Sequence, residues 1–313
     1  MAREVPLAAR PPRRHMRSMS DQPHLIFDRP LLRRRRDRAV ATQHRVAPVI
    51  EAATDRLLDR LDDTTRRFDR ALEIGGRGFV VPALKARGIG FVASMDLSAR
   101  QAGIAGGMPV AGDEEWLPFA AGSFDLVVAN FCLHWVNDLP GALSQIRRAM
   151  APDGLFLASL PALGTLQPLR EALTAADATL RGGASPRVSP FPELRDGAAL
   201  LQRAGFALPV ADIEDIALAY RDPLMLLRDL QAAGETSAIL ARDTRTPPRA
   251  LFPAALSALP AGPEGVPATL RLLTLTGWSP GPDQPRPARR GSANVRLSNA
   301  LGVTERGTGE APG

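Results

Sequence analysis

The chain has 313 residues, enough for one large domain or one domain with a substantial elaboration. A hydrophobic fraction of 45% supports a buried core, and a net charge of +6 would by itself suit a nucleic-acid partner. However, Lys85 is the only lysine beside many arginines, which reads as compositional bias, and an aromatic content of 5% leaves few stacking platforms. Nucleic acid is therefore set aside. Cys132 is the only cysteine, so an internal disulfide and a cysteine metal cluster are excluded and a reducing compartment is expected. No apolar run is long enough to span a bilayer, so no transmembrane segment is predicted.

Residues 1–24 read as a flexible basic tail that lacks the apolar centre of a secretory signal. A mitochondrial presequence shares this composition; the simpler reading is an extension, with Met16 or Met19 as an alternative start. Residues 25–66 form a helical segment in which Val49, Ile50, Ala53, Leu57, Leu58 and Leu61 make one buried face. Within it the basic run Arg33 to Arg36 reads most simply as a solvated helix face, with an acidic partner or anionic headgroups as the functional reading. Residues 67–161 form the sheet core. There Leu139, Leu143, Ile146 and Met150 mark an amphipathic helix ended by Pro152 and Gly154, and GLFLASL follows as a strand. Residues 162–278 add helices over PLREALTAADATL, PELRDGAALLQRAGF and DPLMLLRDLQAAG, and strands over IEDIALAY and TLRLLTLTGW. Residues 279–313, rich in Pro, Arg and Gly, read as loop and disorder.

Chemistry concentrates at the predicted strand ends. LEIGGRG, Leu72 to Gly78, is a buried strand that ends near an acid and turns on glycines, which let backbone N–H groups approach a ligand. Glu73 there could accept from a cationic amino-acid end, or favour the dipole of the following helix. Gly75, Gly76 and Gly78 do not complete the dinucleotide fingerprint, because Arg77 occupies its second glycine position. Asp96, with Leu97 beside it, ends FVASMDLS, where a carboxylate receives both hydroxyls of a ribose; a helix N-cap is the bland alternative. Asp113 and Glu114 follow the third strand and could bind the amine of an adenine, with Trp116, Leu117 and Phe119 over the ring; an acidic trio with Glu115 is otherwise a solvated face. The fourth strand, FDLVVAN, exits at Asn130 into FCLHWVNDL, the floor and lip of a crevice. His134 is a candidate general base, with a packed histidine ahead of it, and Cys132 reads as core. The histidines (His15, His24, His44, His134) are scattered, so no metal site is predicted, and a Ser-His-Asp hydrolase lacks its G-x-S-x-G.

As a set, E-x-G-G-x-G, D-L-S, D-E-E-x-L-P-F and F-D-L-V-V resemble the class I S-adenosylmethionine-dependent methyltransferases. The resemblance implies an α/β, Rossmann-like fold: a seven-stranded, mostly parallel sheet with flanking helices, here carrying an N-terminal helical segment. It also implies S-adenosyl-L-methionine at Glu73, Gly75, Gly76, Gly78, Asp96, Leu97, Asp113, Glu114 and Asn130. Outside that core, IFDRPLLRRRRDRA, LHWVNDLPGALSQI, GTLQPLREAL, GGASPRVSPF, DLQAAGE, VPATLRLLTLTGW and RPARRGSANV look like the complex I assembly factor 5 family. Two positions depart from it: Gly76 stands where relatives usually carry cysteine, and Gly164 where they place an aspartate. This resemblance implies a protein substrate, an NADH dehydrogenase subunit, and peripheral association with a membrane complex. It implies bacterial cytoplasm, or mitochondrial matrix in a eukaryote. Methyl transfer, arginine hydroxylation on the same fold, malonyl-carrier-protein O-methylation and a non-catalytic assembly chaperone stay open as activities.

Overall fold

The computed structural model describes residues 25–282 and the isolated positions 284, 295, 299 and 302. The tail read over 1–24, with His15 and His24, lies outside the described residues, as does RPARRGSANV apart from Val295. Contacts divide the chain after Pro280, and everything below concerns the unit that ends there.

The sheet has seven strands in the order β3-β2-β1-β4-β5-β7-β6. They are β1 (Arg70–Ile74), β2 (Phe91–Asp96), β3 (Met108–Ala111), β4 (Phe124–Asn130), β5 (Met150–Pro161), β6 (Ala207–Tyr220) and β7 (Val266–Trp278). β1 to β5 run parallel, and β7 enters antiparallel between β5 and β6. The central strands are buried on both faces, which is why they read as near-continuous apolar runs rather than alternating ones. Their side chains still alternate in destination. Leu72, Ile74, Val127 and Ala129 pack with Leu143 and Ile146 of α5 (Leu139–Ala149) and with Leu200 and Leu201 of α7 (Leu194–Arg203). Ala71, Leu126, Val128 and Leu157 face Leu57 and Leu58 of α2 (Ala47–Leu58) and Val80, Val81 and Leu84 of α3 (Val80–Ala86). α4 (Ala99–Ile104) follows β2. α6 (Gln167–Arg181), α8 (Pro223–Ala232) and α9 (Leu251–Ser257) build a further apolar cluster with the Val266 end of β7.

The N-terminal helical segment is part of this body. α1 (Arg29–Ala39) starts at Asp28, whose Oδ1 accepts from the Leu31 N–H at 2.9 Å, and Pro30 suits the first turn. Its buried stripe is Leu32, Arg36 and Ala39. α2 buries Ile50, Ala53, Leu57 and Leu58, in keeping with the spacing read from sequence, and Val49 is half-buried.

Adjacent strand ends come level where chemistry was expected. Ile74 pairs with Met95 and with Ala129, and the Gly75 N–H donates to the Met95 carbonyl at 3.1 Å. Glu73, opposite Ser94, and Asp96, two residues further along β2, therefore both lie at the carboxyl ends of these adjacent strands. Leu57→Ala removes the fully buried anchor of α2 and is expected to cost about 2–5 kcal/mol of unfolding free energy. Chemical denaturation checks this, and a loss typical of an exposed position would show that α2 is not fused to the sheet.

Candidate functional site

The turn after β1 shows why glycine is needed there. Gly75 has φ 71° and a Cβ on it would stand 2.5 Å from Cys132 Cβ, while a Cβ on Gly76 would meet Glu73 Oε1 at 2.4 Å. The Gly76 N–H donates to Glu73 Oε1, folding the carboxylate against the loop. Burial pushes the Glu73 carboxyl up to about 8, with the neighbouring Asp96 charge adding to the rise and the Gly76 N–H working against it. Arg77, the residue that breaks the dinucleotide pattern, is left-handed at φ 53° and buried. Its guanidinium pairs with Glu235, beyond α8, and donates to the Phe131 carbonyl at 3.4 Å.

Asp96 is buried, and its Oδ1 accepts from the Ser98 N–H at 2.7 Å. Arg36 from α1, only 2% exposed, places Nη1 at 3.4 Å from that oxygen and at 2.6 Å from Glu114 Oε1. Arg29, two turns earlier on the same helix face, pairs with Glu114 and reaches Asp113 Oδ1 at 2.5 Å. Burial alone would raise the Glu114 carboxyl, but the two guanidiniums bring it down to about 2. Asp96 goes the other way: burial and Glu114 outweigh the more distant Arg36 and the Ser98 N–H, so its carboxyl rises. Glu114 has two guanidiniums against it, Arg29 and Arg36, where Asp96 has Arg36 at the longer distance.

Several expectations change here. Glu114 is fully buried rather than part of a solvated acidic face. Arg36 is interior rather than on the solvated side of a basic helix, while Arg33 and Arg34 do face solvent. Leu117 and Phe119 belong to the core, with Phe119 edge-on to Phe124 at 5.0 Å, so they do not cover a ring in the crevice; Trp116 is 58% exposed. Leu97 packs against the cluster of Phe27, Leu32, Trp135 and Ile239. The Asn130 amide donates to Thr54 Oγ1 at 3.0 Å and accepts from Ser159 Oγ at 2.5 Å, tying β4 to α2 and β5. Cys132 is core, its thiol pushed up by burial and donating to the Ile74 carbonyl at 3.3 Å.

Arg29, Arg36, Gln101 and Glu235 are the site-building residues that strand-end reasoning passed over. A signal existed for the arginines: Arg29, Leu32, Arg36 and Ala39 form one helical stripe, and a guanidinium in an apolar stripe demands a buried acid. Glu235 closes the DLQAAGE segment of the family resemblance, from which no chemistry was read. Among the described residues no cluster of metal-ligating side chains is present, and no helix is long and apolar enough to cross a membrane.

Residues 41–209 match the methyltransferase-domain family. The chain belongs to that family. It also belongs with proteins named Arginine-hydroxylase NDUFAF5, mitochondrial: the one from Danio rerio is 34% identical over 289 residues, covering 88% of this chain and 89% of its own length. A malonyl-[acyl-carrier protein] O-methyltransferase of a Methylovorus strain is 34% identical over 229 residues, covering 68% of this chain and 75% of its own. In fold, the YcgJ protein of Bacillus subtilis matches with a TM-score of 0.50 at 15% identity, over 72% of this chain and 97% of that one. S-adenosyl-L-methionine is the cofactor that membership brings, and the crevice suits its chemistry: carboxylates for an ammonium and a diol, and a turn with no room for a Cβ at Gly75 or Gly76. The slot lined by Glu73, Gly75, Gly76, Arg77, Asp96 and Gln101 holds no space for even one water molecule. The Arg36 guanidinium stands beside Asp96, and among the described residues its Nη2 and Gln101 Oε1 are buried without a hydrogen-bond partner.

Replacing Arg36 with Ala strands Glu114 and Asp96 as buried charges with weakened compensation. A loss of about 3–5 kcal/mol in chemical denaturation is expected. A loss under about 1 kcal/mol would mean the pair is already solvated.

Proposed function

We propose that this chain binds S-adenosyl-L-methionine at the carboxyl ends of β1, β2 and β3 and methylates a protein partner, a subunit of a respiratory NADH dehydrogenase. The observation that carries the reading is the pair of buried carboxylates, Glu73 and Asp96, on adjacent strand ends against the glycine turn. In this reading Glu73 takes the ammonium of the cofactor's amino-acid end, and the turn of Gly75, Gly76 and Gly78 lines its path. Asp96 takes the ribose diol with Leu97 alongside. Asp113, whose side chain is 28% exposed, takes the adenine amine, while Glu114 holds Arg36 and Arg29 in place. Asn130 braces the floor.

A sulfonium cofactor supplies an activated methyl group for in-line displacement, so the protein's own contribution is largely to hold donor and acceptor in register. Arg36 makes the crevice conditional. Its contact to Asp96 is long and that to Glu114 short, so the guanidinium can leave the diol site while staying paired. Arginine hydroxylation is the second reading, favoured by the name and 88% coverage of the Danio rerio relative; it requires oxygen and an electron source in addition to these residues. Either chemistry would act in the bacterial cytoplasm or, in a eukaryote, the mitochondrial matrix. The exposed Arg33, Arg34 and Arg38 offer a cationic face for an acidic partner or a membrane surface.

Mass analysis after incubation with cofactor and a peptide from the dehydrogenase subunit separates the readings. A methyl gain supports the proposal, an oxygen gain the hydroxylase, and binding without modification a chaperone. Asp96→Ala is expected to abolish cofactor binding in calorimetry, and unchanged affinity would remove Asp96 from the site. Glu73 gives a pH test. With its carboxyl near 8, Glu73 is mostly protonated at neutral pH, and a bound ammonium favours its ionised form. Binding at pH near 7 should therefore release a proton, seen as heat that depends on the buffer, and affinity should strengthen as pH rises toward 8. Loss of that buffer dependence in Glu73→Gln is expected, and its persistence would assign the proton to another group.

A further inference from the structure

The buried titratable group that the cofactor crevice leaves unused is His134. It lies on the segment that leaves β4, and that segment packs on the glycine turn: a Cβ on Gly75 would also stand 3.0 Å from the Asn130 carbonyl. β1 and β4 are neighbours at the point where the strand order reverses, which is where open α/β sheets take ligands. The His134 side chain is 1% exposed, with Nε2 2.9 Å from Glu235 Oε2. The same oxygen accepts from Trp135 Nε1 at 2.8 Å, and Glu235 Oε1 pairs with Arg77 of the turn. Although burial would raise it, the Arg77 charge and the hydrogen bond with His134 hold the Glu235 carboxyl well below the usual carboxylate range. A carboxylate that accepts on both oxygens has no proton to give. The proton in the His134–Glu235 contact therefore belongs to Nε2, and a neutral imidazole then carries a bare lone pair on Nδ1. Nδ1 is buried and has no hydrogen-bond partner among the described residues. The ring of Phe191 is its aromatic neighbour beyond Trp135, with centroids 6.3 Å apart.

We propose that Glu235 is a positioning residue that fixes His134 as the Nε2–H tautomer, so that Nδ1 accepts the proton released by a nucleophilic N–H of the protein substrate. The inference rests on the methyl-transfer reading above. In the balanced step the substrate nitrogen gains a bond to the methyl carbon as the carbon–sulfur bond breaks. The sulfonium charge is lost with the thioether, and the substrate proton moves to Nδ1. The resulting imidazolium lies against Glu235, whose negative charge compensates it. Arg77 links this pair to the glycine turn, so the proton acceptor and the cofactor loop share one anchor.

Two measurements test it. Nitrogen-15 NMR of the histidine rings in the ligand-free protein should show His134 protonated at Nε2 and bare at Nδ1, and Glu235→Ala should relax it toward a mixture. A proton on Nδ1 in the wild-type protein, or a tautomer indifferent to Glu235→Ala, overturns the proposal whatever the activity. In methyl transfer to the peptide, His134→Gln should lower kcat by roughly 10²-fold or more while S-adenosylhomocysteine affinity stays within about threefold. An unchanged kcat overturns the proton-acceptor role. Wild-type protein that methylates no peptide overturns the underlying reading instead, and the NMR result still judges the Glu235–His134 pairing on its own.

Discussion

Charge taken out of water at the strand ends is the constraint on which this molecule depends. Glu73, Asp96 and Glu114 converge where β1, β2 and β3 finish, and a buried ion carries a desolvation penalty of several kcal/mol unless it is neutralised or matched. The protein uses a different answer for each. Glu73 is favoured in its neutral form, Glu114 is held ionised by two guanidiniums, and Asp96 is pushed up by burial against the pull of Arg36. An N-terminal helix outside the sheet supplies the guanidiniums, so α1 completes the electrostatics of a site whose frame is built elsewhere.

The frame was legible in the sequence because its causes are local. Strands buried on both faces must be apolar throughout, and ALEI, FVASM and FDLVVA declare themselves; a turn that excludes every Cβ must be glycine, and Gly75 and Gly76 do. The strands IEDIALAY and TLRLLTLTGW were read directly, but their antiparallel pairing came from the family resemblance, and the half-exposed edge strand β6 begins earlier, at Ala207. The acidic loop was harder. Asp113, Glu114 and Glu115 look alike in one dimension, and only the arrival of Arg29 and Arg36 from far upstream makes Glu114 an interior residue. Leu117 and Phe119 failed as ring covers because the core below β3 had first claim on their apolar surface.

Glu235 escaped sequence reading for a different reason. It closes the DLQAAGE segment that carried part of the family resemblance, but its role comes from three partners, Arg77, His134 and Trp135, none of them near it in the chain. A single carboxylate thereby couples the turn after β1 to the segment after β4. His134 viewed alone is an unremarkable packed histidine; its chemical interest comes from the acid that orients it.

Arg77 carries a further consequence. A non-glycine residue in the left-handed region is disfavoured by about 1–2 kcal/mol, and what retains it is a partner 158 positions downstream. During synthesis the first five strands emerge well before residue 235 exists. Both the partner that holds the Arg77 turn and β7, the strand that joins β5 to β6, arrive only with the final third of the polypeptide. A product terminated before Glu235 would lack both, so the turn and the far edge of the sheet are completed together, late in synthesis.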